Sequence, residues 1–195
     1  MLSYVLAVFF LVITPGPGVL SLAGVGAAYG LTHGTRYLIG LFIGNNMVCL
    51  GVISGLAALM LALPGARTTL TLLSAAYLLW LAFRIAFAGT KVAFIERPSP
   101  PGIKGGILLQ AVNPKAYVVN TTLFSGFAFL SQAPLIEMAL KLLILNVLWV
   151  ILHILWLRAG VTLKRMNLPD RVQRGINFAM AAAMLLVVAL AAFST

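Results

Sequence analysis

Long apolar runs, separated by short stretches rich in basic residues, glycine or proline, set the pattern of this chain. No strand-length alternation of apolar and polar positions is sustained, so helices are expected and a barrel is not. Runs of about 18 or more apolar residues are long enough to cross a bilayer as helices. Six such spans are expected, at roughly 2–29, 38–62, 70–88, 105–130, 135–157 and 175–193. The first, at about 28 residues, would extend on the order of 42 Å as a straight helix. That exceeds a hydrocarbon core of about 30 Å, so it is tilted, bent or broken.

Two of the six carry helix breakers. "ITPGPGVL", residues 13–20, interrupts the first span, and "AVNPKAYV", residues 111–118, interrupts the fourth. Pro15 and Pro114 lie 99 positions apart, about half of the chain, and each falls in the first span of its half. With three spans per half, the second half enters the membrane from the opposite side. The expected fold is therefore an all-α integral membrane protein in a single membrane domain. Its six transmembrane helices form two inverted three-helix repeats, 1–98 and 99–195, with broken first and fourth helices. Interrupted helices at corresponding places in inverted halves are the pattern of a transporter binding site.

Proline has no N–H, so Pro15, Pro17 and Pro114 withhold the bonds that the Leu11, Ile13 and Gln110 carbonyls would receive in a regular helix. In lipid such carbonyls are tolerated where they line a polar cavity or meet a partner. A half-helix that starts at a break offers unpaired N–H groups and the positive end of its dipole, which suits a carboxylate. Gly16 and Gly18 let backbone approach a ligand with no side chain between. Lys115 is the one charged residue expected well inside a span; it faces the protein interior or snorkels to the cytoplasmic surface. Its expected partners are carbonyls, an asparagine side chain or an anionic substrate group.

Other polar positions surround these breaks. Asn45 and Asn46 open the second span and hydrogen-bond either to the broken spans or to substrate. In the fourth span Asn113, Tyr117, Asn120, Thr121 and Ser125 fall on one face by steps of three and four. The fifth span carries Asn146, Trp149, His153 and Trp156 on one face; His153 reads as a structural, neutral histidine, and His33 as a loop residue. Ser74, Tyr77 and Arg84 share a face of the third span, with Arg84 snorkelling inward. Glu137 and Lys141 are spaced for an i,i+4 pair at the outer end of span five. Glycines four apart, such as Gly40 and Gly44, permit close helix contact within the monomer; a homodimer stays open on the same pattern.

Composition agrees with a lipid solvent: of 195 residues, 62% are hydrophobic and 8% charged. The net charge of +10 is not a nucleic-acid signature, because the basic residues sit between the apolar spans. The odd-numbered loops hold Arg36, then Lys91, Arg97 and Lys104, then Arg158, Lys164, Arg165, Arg171 and Arg174, whereas the even loops hold Arg67 alone. The positive-inside rule then puts the odd loops in the cytoplasm and both termini outside. The apolar N-terminus lacks the basic start of a signal peptide and reads as a retained first span. Cys49 is the only cysteine, so no internal disulfide and no cysteine-rich metal site is expected. There is no phosphate-binding glycine loop, no paired carboxylates, no nucleophile–base set and no metal motif, so neither enzyme chemistry nor a cofactor is expected.

Several of these stretches resemble the LysE/RhtB family of bacterial amino-acid exporters over nearly the whole chain. "TPGPGVL" is similar to the family's Pro-Gly-Pro motif and "LLQAVNPKAYVVN" to its Asn-Pro-Lys motif; "GLFIGNN" with "SGLAAL", and "AAYLLWLAFRIAFAG", resemble its second and third spans. The resemblance implies an efflux carrier for amino acids or their derivatives in the bacterial inner (plasma) membrane, driven by the membrane potential or a coupling ion. Many members carry an acid just after the second-span glycine, where this chain has Asn45, which shifts the expectation from a cationic to a zwitterionic substrate. The expectation is a secondary transporter working by alternating access. Its substrate site comprises Pro15, Gly16, Pro17, Gly18, Asn45, Asn46, Asn113, Pro114, Lys115, Tyr117 and Asn120. The alternative is an ion channel or other small-solute permeation protein.

Overall fold

A computed structural model describes residues 1–86 and 99–166, and positions 169, 171–172, 174–179, 182–183 and 186. It contains α1 (Leu2–Ile13), α2 (Pro17–Tyr29), α3 (Leu31–Ile53), α4 (Leu56–Ala62), α5 (Ala66–Ala86), α6 (Gly102–Val112), α7 (Pro114–Ser125) and α8 (Pro134–Arg165). All regular structure among the described residues is helical. Three stretches are long and apolar enough to cross a membrane: α3, Thr68–Ile85 within α5, and Pro134–Leu163 within α8. A fourth is the pair α1 and α2, bent by 52°. Large apolar side chains such as Leu2, Leu59, Leu72 and Leu135 point outward, as a lipid-facing surface requires.

Both proline motifs end one helix and start another. The Thr14 hydroxyl and N–H both donate to the Phe10 carbonyl and close α1. Gly16 is extended, and Pro17 opens α2 with its φ already set for a helix. At the second motif Asn113 ends α6 and caps α7, its Oδ1 accepting from Lys115 N at 3.1 Å, with Pro114 in the first turn. The Gln110 carbonyl, expected to be freed by Pro114, is not: it accepts from Asn113 N at 3.3 Å, because the chain tightens before it breaks.

Several element bounds differ from those expected. The helix α3 begins at Leu31 rather than 38, because Gly30 at φ 84° serves as both the end of α2 and the start of α3. His33 is therefore helical. The second expected span is two helices, since Gly55 at φ 77° turns the chain between α3 and α4. Span four ends at Ser125, and the 126–133 connection that follows contains Phe127 at φ 58°. The helix α8 continues to Arg165, past the expected end at 157. The loop basics Lys91 and Arg97, and most of the expected sixth span, lie outside the described residues.

Two contacts bring backbones together through glycine. Between α3 and α6, a Cβ on Gly106 would lie 2.5 Å from the Tyr37 carbonyl oxygen, and one on Gly40 would meet the Ile103 carbonyl. Between α2 and α8, a Cβ on Gly160 would meet the Ala23 carbonyl, and one on Gly26 would lie 3.0 Å from the Leu157 oxygen. At the start of α8, Glu137 and Lys141 pair at 3.0 Å. Glu137 also accepts from the Phe129 and Leu130 amides, and Lys141 donates to the Gly126 carbonyl at 2.8 Å, so the pair ties down the 126–133 connection. The Tyr4 hydroxyl donates to the Lys141 carbonyl at 2.9 Å, joining α1 to the same corner.

Candidate functional site

The two breaks meet. Lys115, in the first turn of α7, extends its ammonium to the Thr14 carbonyl at the end of α1, 2.5 Å away. Gly16 makes room for it: a Cβ there would lie 2.7 Å from Lys115 Cδ and 3.1 Å from Nζ. The lysine is thus held by an acceptor exposed where the first span stops. Its own backbone N–H is satisfied by Asn113.

The two half-helix starts differ in one respect. Asn113 caps α7 with its side chain, whereas no side chain caps α2. Pro17 has no N–H, and Leu20 N bonds back to the Gly16 carbonyl at 3.1 Å. The Gly18 and Val19 amides lie in the first turn, where no intrahelical acceptor precedes them. The open helix start and the fixed ammonium therefore stand next to each other.

A small, partly open cavity lies over this point. Thr14, Gly16, Gly18, Asn113 and Lys115 contribute the break residues. Leu11 and Val12 of α1, Ala116, Val119 and Asn120 of α7, and Leu145, Trp149 and His153 of α8 build its walls, and Asn45 reaches it from α3. Polar groups are gathered at the breaks; beyond them the walls are mainly apolar, with Asn45, Asn120 and His153 set among them.

The asparagines are ordered by one another. Asn120 Nδ2 donates to Asn45 Oδ1 at 3.3 Å and to the Ala116 carbonyl at 2.8 Å; its Oδ1 lies 3.1 Å from Cys49 Sγ. Asn113 Nδ2 donates to Gln110 Oε1 at 3.0 Å. Asn46 and Asn146 form a reciprocal amide pair at 2.9 and 3.0 Å between α3 and α8.

Of the residues expected from the sequence, Gly16, Gly18, Asn45, Asn113, Lys115 and Asn120 line the cavity together. Pro15, Pro17 and Pro114 shape the breaks without lining it. Asn46 is turned toward Asn146, and the Tyr117 hydroxyl donates to the Ala111 carbonyl at 2.8 Å. Trp149 and His153 were not expected in the site. The signal available was their one-turn spacing on α8, but nothing in the sequence says which face of α8 meets α2. Among the described residues no group of three His, Cys, Asp or Glu side chains could hold a metal.

Fold and cavity together define an all-α protein with membrane-length apolar spans and a cavity where two helix breaks meet. The chain belongs to the LysE type translocator family, whose model matches residues 9–194. It is similar to a leucine efflux protein of Enterobacter sp. strain 638, 30% identical over 130 residues, or 64% of this chain and 62% of the relative. It is also similar to a leucine efflux protein of Klebsiella pneumoniae, 29% identical over 65% of this chain and 62% of the relative. A cysteine/O-acetylserine efflux protein of Salmonella choleraesuis is 34% identical over 59% of this chain and 58% of the relative. The chain thus spans about three fifths of the length of these curated relatives. No solved structure matches it.

Proposed function

We propose that this protein is a secondary transporter that exports amino acids or close derivatives across the bacterial inner membrane. The observation that carries the proposal is the meeting of the breaks: the Lys115 ammonium, held on the Thr14 carbonyl, stands beside the uncapped start of α2 in one cavity. A fixed cation and open amides at a helix start are the chemistry that receives a carboxylate. The efflux activities named for the relatives give that carboxylate its class.

The six spans act as two inverted three-helix halves. Asn46 and Asn146, 100 positions apart, form a reciprocal pair, close to the 99-position offset of Pro15 and Pro114. Such a pair belongs on a pseudo-two-fold axis. The basic residues put both termini outside and the Gly30 turn in the cytoplasm. On that orientation the cavity walls of α1 and α7 lie toward the outside, and the α8 wall lies near the middle of that helix. The glycine contacts of α3 with α6 and of α2 with α8 lie toward the cytoplasm and close that side. The conformation is then outward-facing, and alternating access opens these contacts while the outer walls approach. The driving force is the membrane potential or a coupling ion.

The test is efflux from proteoliposomes loaded with an amino-acid mixture under a set potential and pH gradient. Selective loss of one or a few amino acids, above protein-free vesicles, is the expected result. No loss of any overturns the proposal, and unitary conductance steps in a planar bilayer would replace it with a channel.

A further inference from the structure

His153 sits one helical turn beyond Trp149, its ring stacked on the indole with centroids 3.4 Å apart and planes 14° from parallel. Its Nδ1 lies 2.8 Å from the Trp149 carbonyl oxygen. A carbonyl only accepts, so Nδ1 carries the proton, and in the neutral ring Nε2 is left with a lone pair. The residue is 3% exposed and lines the cavity. No hydrogen bond to Nε2 is found among the described residues, and this nitrogen lies beside Gly18, which lines the same cavity. A Cβ on Gly18 would lie 3.8 Å from Nε2.

The asparagine amide oxygens at this cavity each already receive a donor. Asn45 Oδ1 receives Asn120, Asn113 Oδ1 receives Lys115 N, and Asn120 Oδ1 receives Cys49. The Thr14 carbonyl receives the Lys115 ammonium. His153 Nε2 is left as a pre-oriented, unused acceptor. It stands at Gly18, whereas the Lys115 ammonium stands at Gly16. Two residues of chain span at most about 7 Å. A cation and an acceptor are therefore presented to one small cavity from neighbouring points of one backbone.

We propose that His153 Nε2 accepts the ammonium of the substrate, so that the cavity recognises a zwitterion, with carboxylate toward Lys115 and ammonium toward His153. The proposal rests on the transport function proposed above and names the substrate's second charged group. It makes His153 a specificity residue: a 2-hydroxy acid with the same side chain, offering no ammonium, leaves Nε2 with a poorer partner.

The test uses the full chain in proteoliposomes at matched protein content, with efflux of labelled L-leucine as probe. If the mixture experiment selects another amino acid, that one and its 2-hydroxy counterpart are used. The parent is expected to prefer the amino acid over the 2-hydroxy acid by tenfold or more in competition. His153→Leu should reduce that preference at least tenfold, mainly through KM. His153→Gln, whose amide oxygen can still accept, should retain part of it. A His153→Leu variant that is slower but keeps the full preference would make His153 a packing residue and overturn the proposal. A parent that does not discriminate between the two probes overturns it as well. Both results leave amino-acid transport standing, whereas a parent that moves no amino acid defeats the transport proposal and this one together.

Discussion

Replacing Lys115 with Met removes the charge and keeps most of the stem volume. Two terms of opposite sign govern its effect on stability. The charge-assisted bond from Nζ to the Thr14 carbonyl is lost, and bonds of this kind contribute about 1.5–3 kcal/mol. The variant is also relieved of a charge inside a span, which costs about 2.5–3.5 kcal/mol on insertion scales. These largely offset, to within about 2 kcal/mol. Thr14 lines the cavity, so water can take the place of the lost donor at its carbonyl. The protein should therefore insert and unfold in detergent much as the parent does. Transport responds differently, because nothing replaces the cation beside the start of α2. Loss of about 1.4 kcal/mol from the limiting step is tenfold in rate, so initial efflux should fall tenfold or more. Lys115→Arg should restore only part of it, since a planar guanidinium does not fit the space at Gly16 as a narrow alkyl stem and ammonium do. The assay is initial efflux from proteoliposomes at matched protein content, beside a thermal melt in detergent. Equal efflux rates for parent and Met variant would remove Lys115 from the site.

Three further predictions concern the scaffold. Gly16→Ala puts a methyl against the flexible Lys115 stem, so it should cut efflux several-fold with little change in melting temperature; Gly40→Ala meets the Ile103 backbone and should cost about 1–3 kcal/mol, seen as a lower melting temperature. Equal melting of Gly40→Ala and parent would show that α3 and α6 are not in backbone contact. Asn46→Ala and Asn146→Ala should be non-additive in a double-mutant cycle, with a coupling of about 0.6 to 1.7 kcal/mol, as found for hydrogen bonds between membrane helices; strict additivity would show that the reciprocal pair does not form. A cysteine placed at Ser99 on a Cys49→Ser background should resist an impermeant thiol reagent in intact spheroplasts and react after permeabilisation. Strong labelling from outside would reverse the proposed orientation.

The breaks were legible because proline and glycine act locally: Pro17 and Pro114 start helices wherever they stand in a chain. The helix ends were less so, because apolarity is a poor guide where a helix leaves the membrane. Thr32, His33 and Gly34 dilute the start of α3, yet the turn at Gly30 lets the helix begin at once. Arg158 marks an expected end for α8, but arginine can stay in a helix and reach water with its long side chain. In the cavity, residues next to the breaks were found by proximity in sequence, as Gly16, Gly18 and Lys115 show. His153 was missed because its place depends on which face of α8 meets Gly18, a matter of tertiary packing. The pairing of Asn46 with Asn146 was within reach, since their separation nearly repeats that of the two prolines.

The glycine contacts that hold α6 on α3 and α8 on α2 have an evolutionary consequence. They are made between main chains, at Gly106 against Tyr37 and Leu41 and at Gly160 against Ala23, so closure there depends on the absence of side chains. The cavity walls depend instead on side chains such as Val12, Val119 and Leu145, which take no part in those contacts. The chemistry of the walls can therefore drift without altering how the helices pack, and the packing constrains only which positions stay small. A scaffold divided in this way is free to change what its cavity fits by a few wall substitutions.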